Sequence, residues 1–192
     1  MATQHEIDRE PPPPGGVWSR GFVALLATQF LGVFNDNFFR WMIVRLGAER
    51  VGDDHAALVL SAGGICLVLP FLLLAAPAGV LADRASRRTV IFFCKCTELV
   101  SMTVGALAIW RGPALVQATG IAYFDVFLLF AVLFLLGCQA AMFAPARLSS
   151  IPDLLRPTDV PAGNGVHGLV TIVAVIAGTL AGTGLYDLNA TQ

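Results

Sequence analysis

The chain has 192 residues, of which 56% are hydrophobic and only 13% charged. A soluble domain carries about 25% charged residues, so this chain has too few to clothe a water-facing surface. Its formal net charge of −1 gives no basis for a nucleic-acid partner.

The opening stretch, MATQHEIDREPPPPGG, is polar, acidic and Pro-rich. A cleavable signal needs a basic start followed by a short apolar run, and neither is present. Residues 1–19 therefore read as a polar, disordered or polyproline tail. Five apolar runs follow, at about 21–46, 56–82, 89–110, 126–146 and 165–186. A helix crossing a bilayer needs about 20 mostly apolar residues, and barrel strands are about half that length. The expected fold is an all-α membrane protein, with a helical bundle over residues 20–188 and a short tail at 189–192.

Segment one holds polar groups where lipid alone would not tolerate them. Gln29, Val33, Asp36 and Arg40 recur at helical spacing and share one face, with Asn35 and Asn37 flanking Asp36. A charge near the bilayer centre costs at least a few kcal/mol, so such residues face a cavity and take partners. Gln29, Asn35, Asp36, Asn37 and Arg40 are thus the candidate substrate or ion site. Asp36 suits the cationic part of a zwitterionic head group or a coupling cation. The planar fork of Arg40 suits a phosphate. The alternative is structural: an Asp36–Arg40 pair one turn apart, or Arg40 snorkelling to the interface.

Segment two contains Pro70 and Pro77, which can bend it. In segment three, Lys95 and Glu98 are three residues apart and are expected to neutralise each other. Segments four and five are uncharged. Between them, 144–161 (APARLSSIPDLLRPTDVP) spaces Leu148, Ile151, Leu154 and Leu155 by three or four. That pattern predicts a short amphipathic helix on the cytoplasmic face, or else a polar connector. In segment five, Asn164, His167 and Thr171 share a face, and Gly178-x-x-x-Gly182 offers a close-packing stripe. The lone His167 reads as a packing residue or a titrating one.

Cys66, Cys94, Cys96 and Cys138 read as free thiols in apolar surroundings. With His5, His55 and His167 far apart and no Cys-x-x-Cys, no metal site is indicated. No nucleophile with a base and no phosphate-cradling glycine loop is apparent, so neither an enzymatic role nor a cofactor is expected. Lys and Arg counts in the loops place the N-terminus and the loop carrying Arg84, Arg87 and Arg88 in the cytoplasm.

That loop reads Gly79-Val-Leu-Ala-Asp83-Arg84-Ala-Ser-Arg87-Arg88. It resembles the signature Gly-x-Leu-Ala-Asp-Arg-x-Gly-Arg-Lys of the major facilitator superfamily, with Ser86 at the usual second glycine. Gly79 lets another helix approach, Asp83 can meet a helix N-terminus, and the arginines face the anionic inner leaflet. The resemblance implies a gating loop that latches two six-helix halves, of which this chain supplies the first five helices. It also implies that the missing C-terminal half is a partner, and that this chain alone cannot transport.

A finer resemblance rests on Phe34-Asn35-Asp36-Asn37 and Pro145-Ala146-Arg147. These look like the bacterial lysophospholipid transporters of the inner membrane, some fused to acyltransferase domains. The implied substrate is lysophospholipid or another small amphiphile, with membrane lipids around it. Drug or solute efflux by the same superfamily is the rival, as is a non-transporting anchor or remnant. Drug/proton antiporters carry an Arg inside span four and a Gly-Pro in span five, whereas this chain has neither: Arg147 ends span four, and Gly178-Thr179 stands in span five.

Overall fold

The computed structural model describes residues 15–84 and 87–190, with the side chains at 53, 81–84, 87–88, 90–91, 146 and 186–190 outside the description. Five long helices follow one another: α1 (Arg20–Val51), α2 (Ala56–Arg84), α3 (Arg87–Thr119), α4 (Phe124–Leu154) and α5 (Val160–Ala190). A 3-10 turn at Asp53–His55 joins α1 to α2. All five are long and apolar enough to cross a membrane, and the chain is a multi-pass membrane protein. At about 1.5 Å per residue, 30-residue helices exceed the hydrocarbon thickness and reach into the interfaces.

Every span runs longer than the sequence pattern predicts. Helix α3 continues through Arg111, Gly112 and Pro113 to Thr119. The Arg111 guanidinium stacks 4.7 Å from the Trp110 ring centre, which suits a helix leaving the hydrocarbon. The expected amphipathic surface helix is corrected outright. Residues 144–154 stay within α4. Ile151 and Leu155 are buried against Phe22 and Leu26 of α1, so their apolar spacing serves packing between helices.

Helix α4 sits at the centre and touches all four others, while α1 packs along α5, and α2 and α3 flank α4. The main apolar core gathers Phe39 and Ile43 of α1, Ala108 of α3 and Leu129, Leu133 and Leu136 of α4. Elsewhere apolar side chains face outward, as at Leu72, which is 74% exposed; in a bilayer that surface meets acyl chains.

With no hydrophobic drive between helices in lipid, close backbone approach supplies much of the packing. The Gly178/Gly182 stripe behaves as the sequence predicts. A Cβ at Gly178 would strike the Phe34 carbonyl oxygen, and one at Gly182 the Phe38 carbonyl. Helices α2 and α4 meet by a related device. Pro70 removes the donor that would serve the Cys66 carbonyl one turn earlier. A Cβ at Gly137 of α4 would lie 2.8 Å from that oxygen and 3.0 Å from the Pro70 ring.

The chain's lead-in crosses the α4–α5 connector. Gly15 N–H donates to the Leu154 carbonyl at 3.1 Å, and Arg156 N–H donates to the Gly15 carbonyl at 3.2 Å. The N-terminal lead-in and the α4–α5 connector therefore lie on one side of the bundle. At the opposite end, Arg50 pairs with the buried Asp125 at 3.1 Å and ties α1 to α4.

Candidate functional site

A small polar chamber lies among α1, α3 and α4, with a volume of about 20 Å³. That is room for about one water molecule. Helix α1 lines it with Thr28, Gln29, Gly32, Val33 and Asp36. Helix α3 contributes Lys95 and Glu98, and α4 contributes Gln139, Ala140, Phe143 and Arg147. The helical spacing that aligns Gln29, Val33 and Asp36 is what brings them to one wall.

The polar groups are tightly organised. Lys95 Nζ donates to Glu98 Oε2 at 2.6 Å, the neutralising pair that the sequence spacing predicts. The same oxygen accepts from Gln139 Nε2 at 3.1 Å, so Glu98 joins α3 to α4. Phe143 is flanked by two cations, with Lys95 Nζ and the Arg147 guanidinium carbon each 5.3 Å from its ring centre. Gly32 makes room for Lys95, because a Cβ there would stand 3.2 Å from Nζ. Asp36 sits opposite these groups, and the charges acting on it are those of Glu98, Lys95 and Arg147.

On its far side the chamber is tied to α5. Gln29 Nε2 donates to Thr171 Oγ1 at 2.7 Å, and Thr171 Oγ1 donates to the His167 carbonyl at 2.8 Å. Gln29 is 2% exposed, and His167, one turn before Thr171, is also buried. Thr171 thus packs on α1, whereas Asn164 is exposed.

Several buried polar atoms in this region have no hydrogen-bond partner: Gln29 Oε1, Asp36 Oδ1, Gln139 Oε1 and Arg147 Nε. A buried polar group left unpaired costs roughly 1–3 kcal/mol, so a buried water or a ligand has to serve these atoms.

Other predicted residues lie elsewhere. Arg40 does not line the chamber; its guanidinium lies 5.4 Å from the Trp41 ring centre. Asn35 donates to the Met102 sulfur on α3, and Asn37 donates to the Val33 carbonyl of its own helix at 2.8 Å. Both therefore brace α1. Gly79 lies within α2, with open space where a Cβ would stand. The side chains of Asp83, Arg84, Arg87 and Arg88 lie outside the described residues, as does Ser86.

Four chamber residues escape a reading of segment one alone: Lys95, Glu98, Gln139 and Arg147. Gln139 is a lone amide in an otherwise apolar stretch of α4, which is a usable signal. Arg147 reads in sequence as a loop cation, but α4 continues past it for another seven residues and keeps it inside the bundle.

A groove of about 310 Å³ lies next to the chamber, between Gly21, Ala24, Leu25 and Thr28 of α1 and Ser150, Asp153 and Leu154 of α4. Thr28 lines both spaces. The groove runs toward the end of the bundle that carries the N-terminal lead-in.

Among the described residues no group of His, Cys, Asp and Glu is placed to hold a metal ion. Residues 22–184 match the family model MFS_3, described as transmembrane secretion effector. Similarity to curated proteins runs along most of the chain. A lysophospholipid transporter of Photorhabdus laumondii is 29% identical over 171 residues, covering 89% of this chain and 38% of the relative. One from Pectobacterium carotovorum is 28% identical over 183 residues, covering 95% and 40% respectively. One from Cronobacter sakazakii is 26% identical over 175 residues, covering 91% and 39%. The chain thus spans about two fifths of the length of these relatives. No solved structure matches it.

Proposed function

Because the chain belongs to the MFS_3 family of major facilitator proteins, we propose that it is the N-terminal portion of a transporter that moves lysophospholipid across a bacterial inner membrane. The observation that carries this reading is the chamber itself: Asp36 and Arg147 held inside a bundle of apolar helices, beside a largely apolar groove. Ionisable groups at such depth line substrate or ion paths. The relatives named lysophospholipid transporters supply the substrate class.

The chemistry fits an amphiphile with a phosphate. A guanidinium binds phosphate through a planar fork, and Arg147 keeps Nε uncommitted. That role passes from Arg40 to Arg147, because Arg147 shares the chamber with Asp36. The largely apolar groove lined by Ala24, Leu25 and Leu154 suits the first part of an acyl chain. A chamber of about 20 Å³ admits no head group, so this conformation is closed around its polar centre. Opening it requires α1, α3 and α4 to move apart, because all three line it. The N-terminus and the Arg84–Arg88 loop face the cytoplasm in this reading, following the arginine distribution.

The test is uptake of labelled lysophospholipid by cells expressing a full-length version. Accumulation above cells with an empty vector supports the reading. Extrusion of dyes or drugs with no lysophospholipid uptake would favour the efflux alternative.

A further inference from the structure

The groove and the chamber lie end to end along the seam between α1 and α4. Gly21, Ala24 and Leu25 line the groove, Gly32 and Asp36 line the chamber, and Thr28 lines both. On the facing helix Ser150 and Leu154 border the groove, and Arg147, one turn before Ser150, borders the chamber. Thr28 therefore stands at the neck between an apolar space and a polar one. At about 1.5 Å per residue it lies about 10 Å along α1 from Gly21 and about 12 Å from Asp36. Gly21, Ala24 and Gly32, its neighbours on that face of α1, carry no polar side-chain atom. The Thr28 hydroxyl donates its hydrogen to the Ala24 carbonyl at 2.9 Å, and its oxygen keeps lone pairs with which to accept. That bond to the preceding turn is ordinary in itself, since Thr97 and Thr103 make it on the exposed face of α3. The place of Thr28 between two spaces sets it apart.

We propose that Thr28 is the residue that recognises the free glycerol hydroxyl of a lysophospholipid. The inference rests on the reading above, in which Arg147 takes the phosphate and the groove takes the acyl chain. A 1-acyl lysophospholipid carries its free hydroxyl on the carbon between the phosphate-bearing and the acyl-bearing carbons. With the two ends held in chamber and groove, that carbon falls at the neck, and its hydroxyl donates to Thr28 Oγ1. A diacyl phospholipid has an ester at the same carbon and brings no hydrogen to donate. Thr28 is thus a specificity-determining residue: it reads the one group that separates a lysophospholipid from its diacyl parent. A site built to bond a hydroxyl rejects an analogue that lacks it.

The experiment measures uptake by cells carrying the full-length transporter, with two lipids labelled in the acyl chain. One is 1-acyl lysophosphatidylethanolamine; the other is its 2-deoxy analogue, which lacks only the free hydroxyl. The readout is the ratio of their Vmax/KM values within one strain, which cancels differences in expression and folding. The wild type should prefer the hydroxyl-bearing lipid by roughly three- to tenfold, the effect of one uncharged hydrogen bond. Thr28→Val keeps the branched shape and removes the oxygen, so the preference should vanish. Thr28→Ser keeps the hydroxyl and should keep the preference. Equal uptake of the two lipids by the wild type overturns this assignment alone, and does so even if a variant fails to fold. An undiminished preference in Thr28→Val also overturns it, by placing the hydroxyl contact elsewhere. Uptake of neither lipid by the wild type overturns the transport reading, and this assignment with it.

Discussion

Replacing Gly182 with alanine tests how α5 is held against α1. A Cβ at this position would stand 2.5 Å from the Phe38 carbonyl oxygen and 3.1 Å from the Phe38 Cα. Both obstacles are backbone atoms inside a regular helix, so neither can rotate away. Ordinary contact begins near 3.4 Å, so the helices must separate locally by about 0.9 Å. Overpacking of this kind costs about 1–3 kcal/mol. Alanine in place of glycine within a helix returns about 0.5–1 kcal/mol. The net expectation is a loss of roughly 1–2 kcal/mol for Gly182→Ala. Gly168 lies in the same helix with open space at its Cβ position, so Gly168→Ala should be neutral or slightly stabilising. The assay is thermal unfolding in nanodiscs, followed by tryptophan fluorescence from Trp18, Trp41 and Trp110. Equal melting of the two variants would refute the close approach of α5 to the α1 backbone.

Further expectations follow from the same geometry. Lys95→Met leaves Glu98 buried with only Gln139 as a donor and should destabilise by roughly 3–5 kcal/mol. The double variant Lys95→Met/Glu98→Met should recover most of that loss, and a thermal melt of the three proteins decides it. In a cysteine-free background, an impermeant thiol reagent added outside cells should label a cysteine at Asp54 and miss one at Ser86. Cysteines at Trp18 and Arg156 should behave like the one at Ser86, because Gly15 pairs with the connector that holds Arg156. Labelling of Trp18 and Asp54 positions from the same side would contradict the topology.

Much of the fold was legible because lipid simplifies the code. Long uncharged runs such as the one around Leu60 to Ala76 have few alternatives to a spanning helix. The Gly178/Gly182 stripe was legible for the same reason, since small residues at that spacing mark helix contacts. The site was half legible. Gln29 and Asp36 stood out as polar groups at helical spacing in one span, and the structure places both in the chamber. Arg40 shares their stripe but sits one turn further along, stacked on Trp41, and spacing alone does not separate the two cases. The opposing wall was not legible, because which span faces Asp36 is a matter of three-dimensional packing. Lys95 and Glu98 read as a self-contained pair, although Glu98 also reaches Gln139. The stretch 144–154 misled because its amphipathic spacing fits a surface helix and an extended span equally well; burial of Ile151 and Leu155 on α1 decides between them.

The measurement that bears most directly on the account is lysophospholipid uptake by a full-length version carrying Asp36→Asn or Arg147→Gln. Asparagine keeps the shape of Asp36 and its capacity to accept a hydrogen bond but removes the charge, so the first variant isolates electrostatics. Glutamine at Arg147 keeps a donor and removes the cationic fork. Uptake should fall to the level of cells lacking the transporter in both variants, with membrane expression unchanged. Wild-type uptake by both would remove the chamber from the transport path and contradict the central claim.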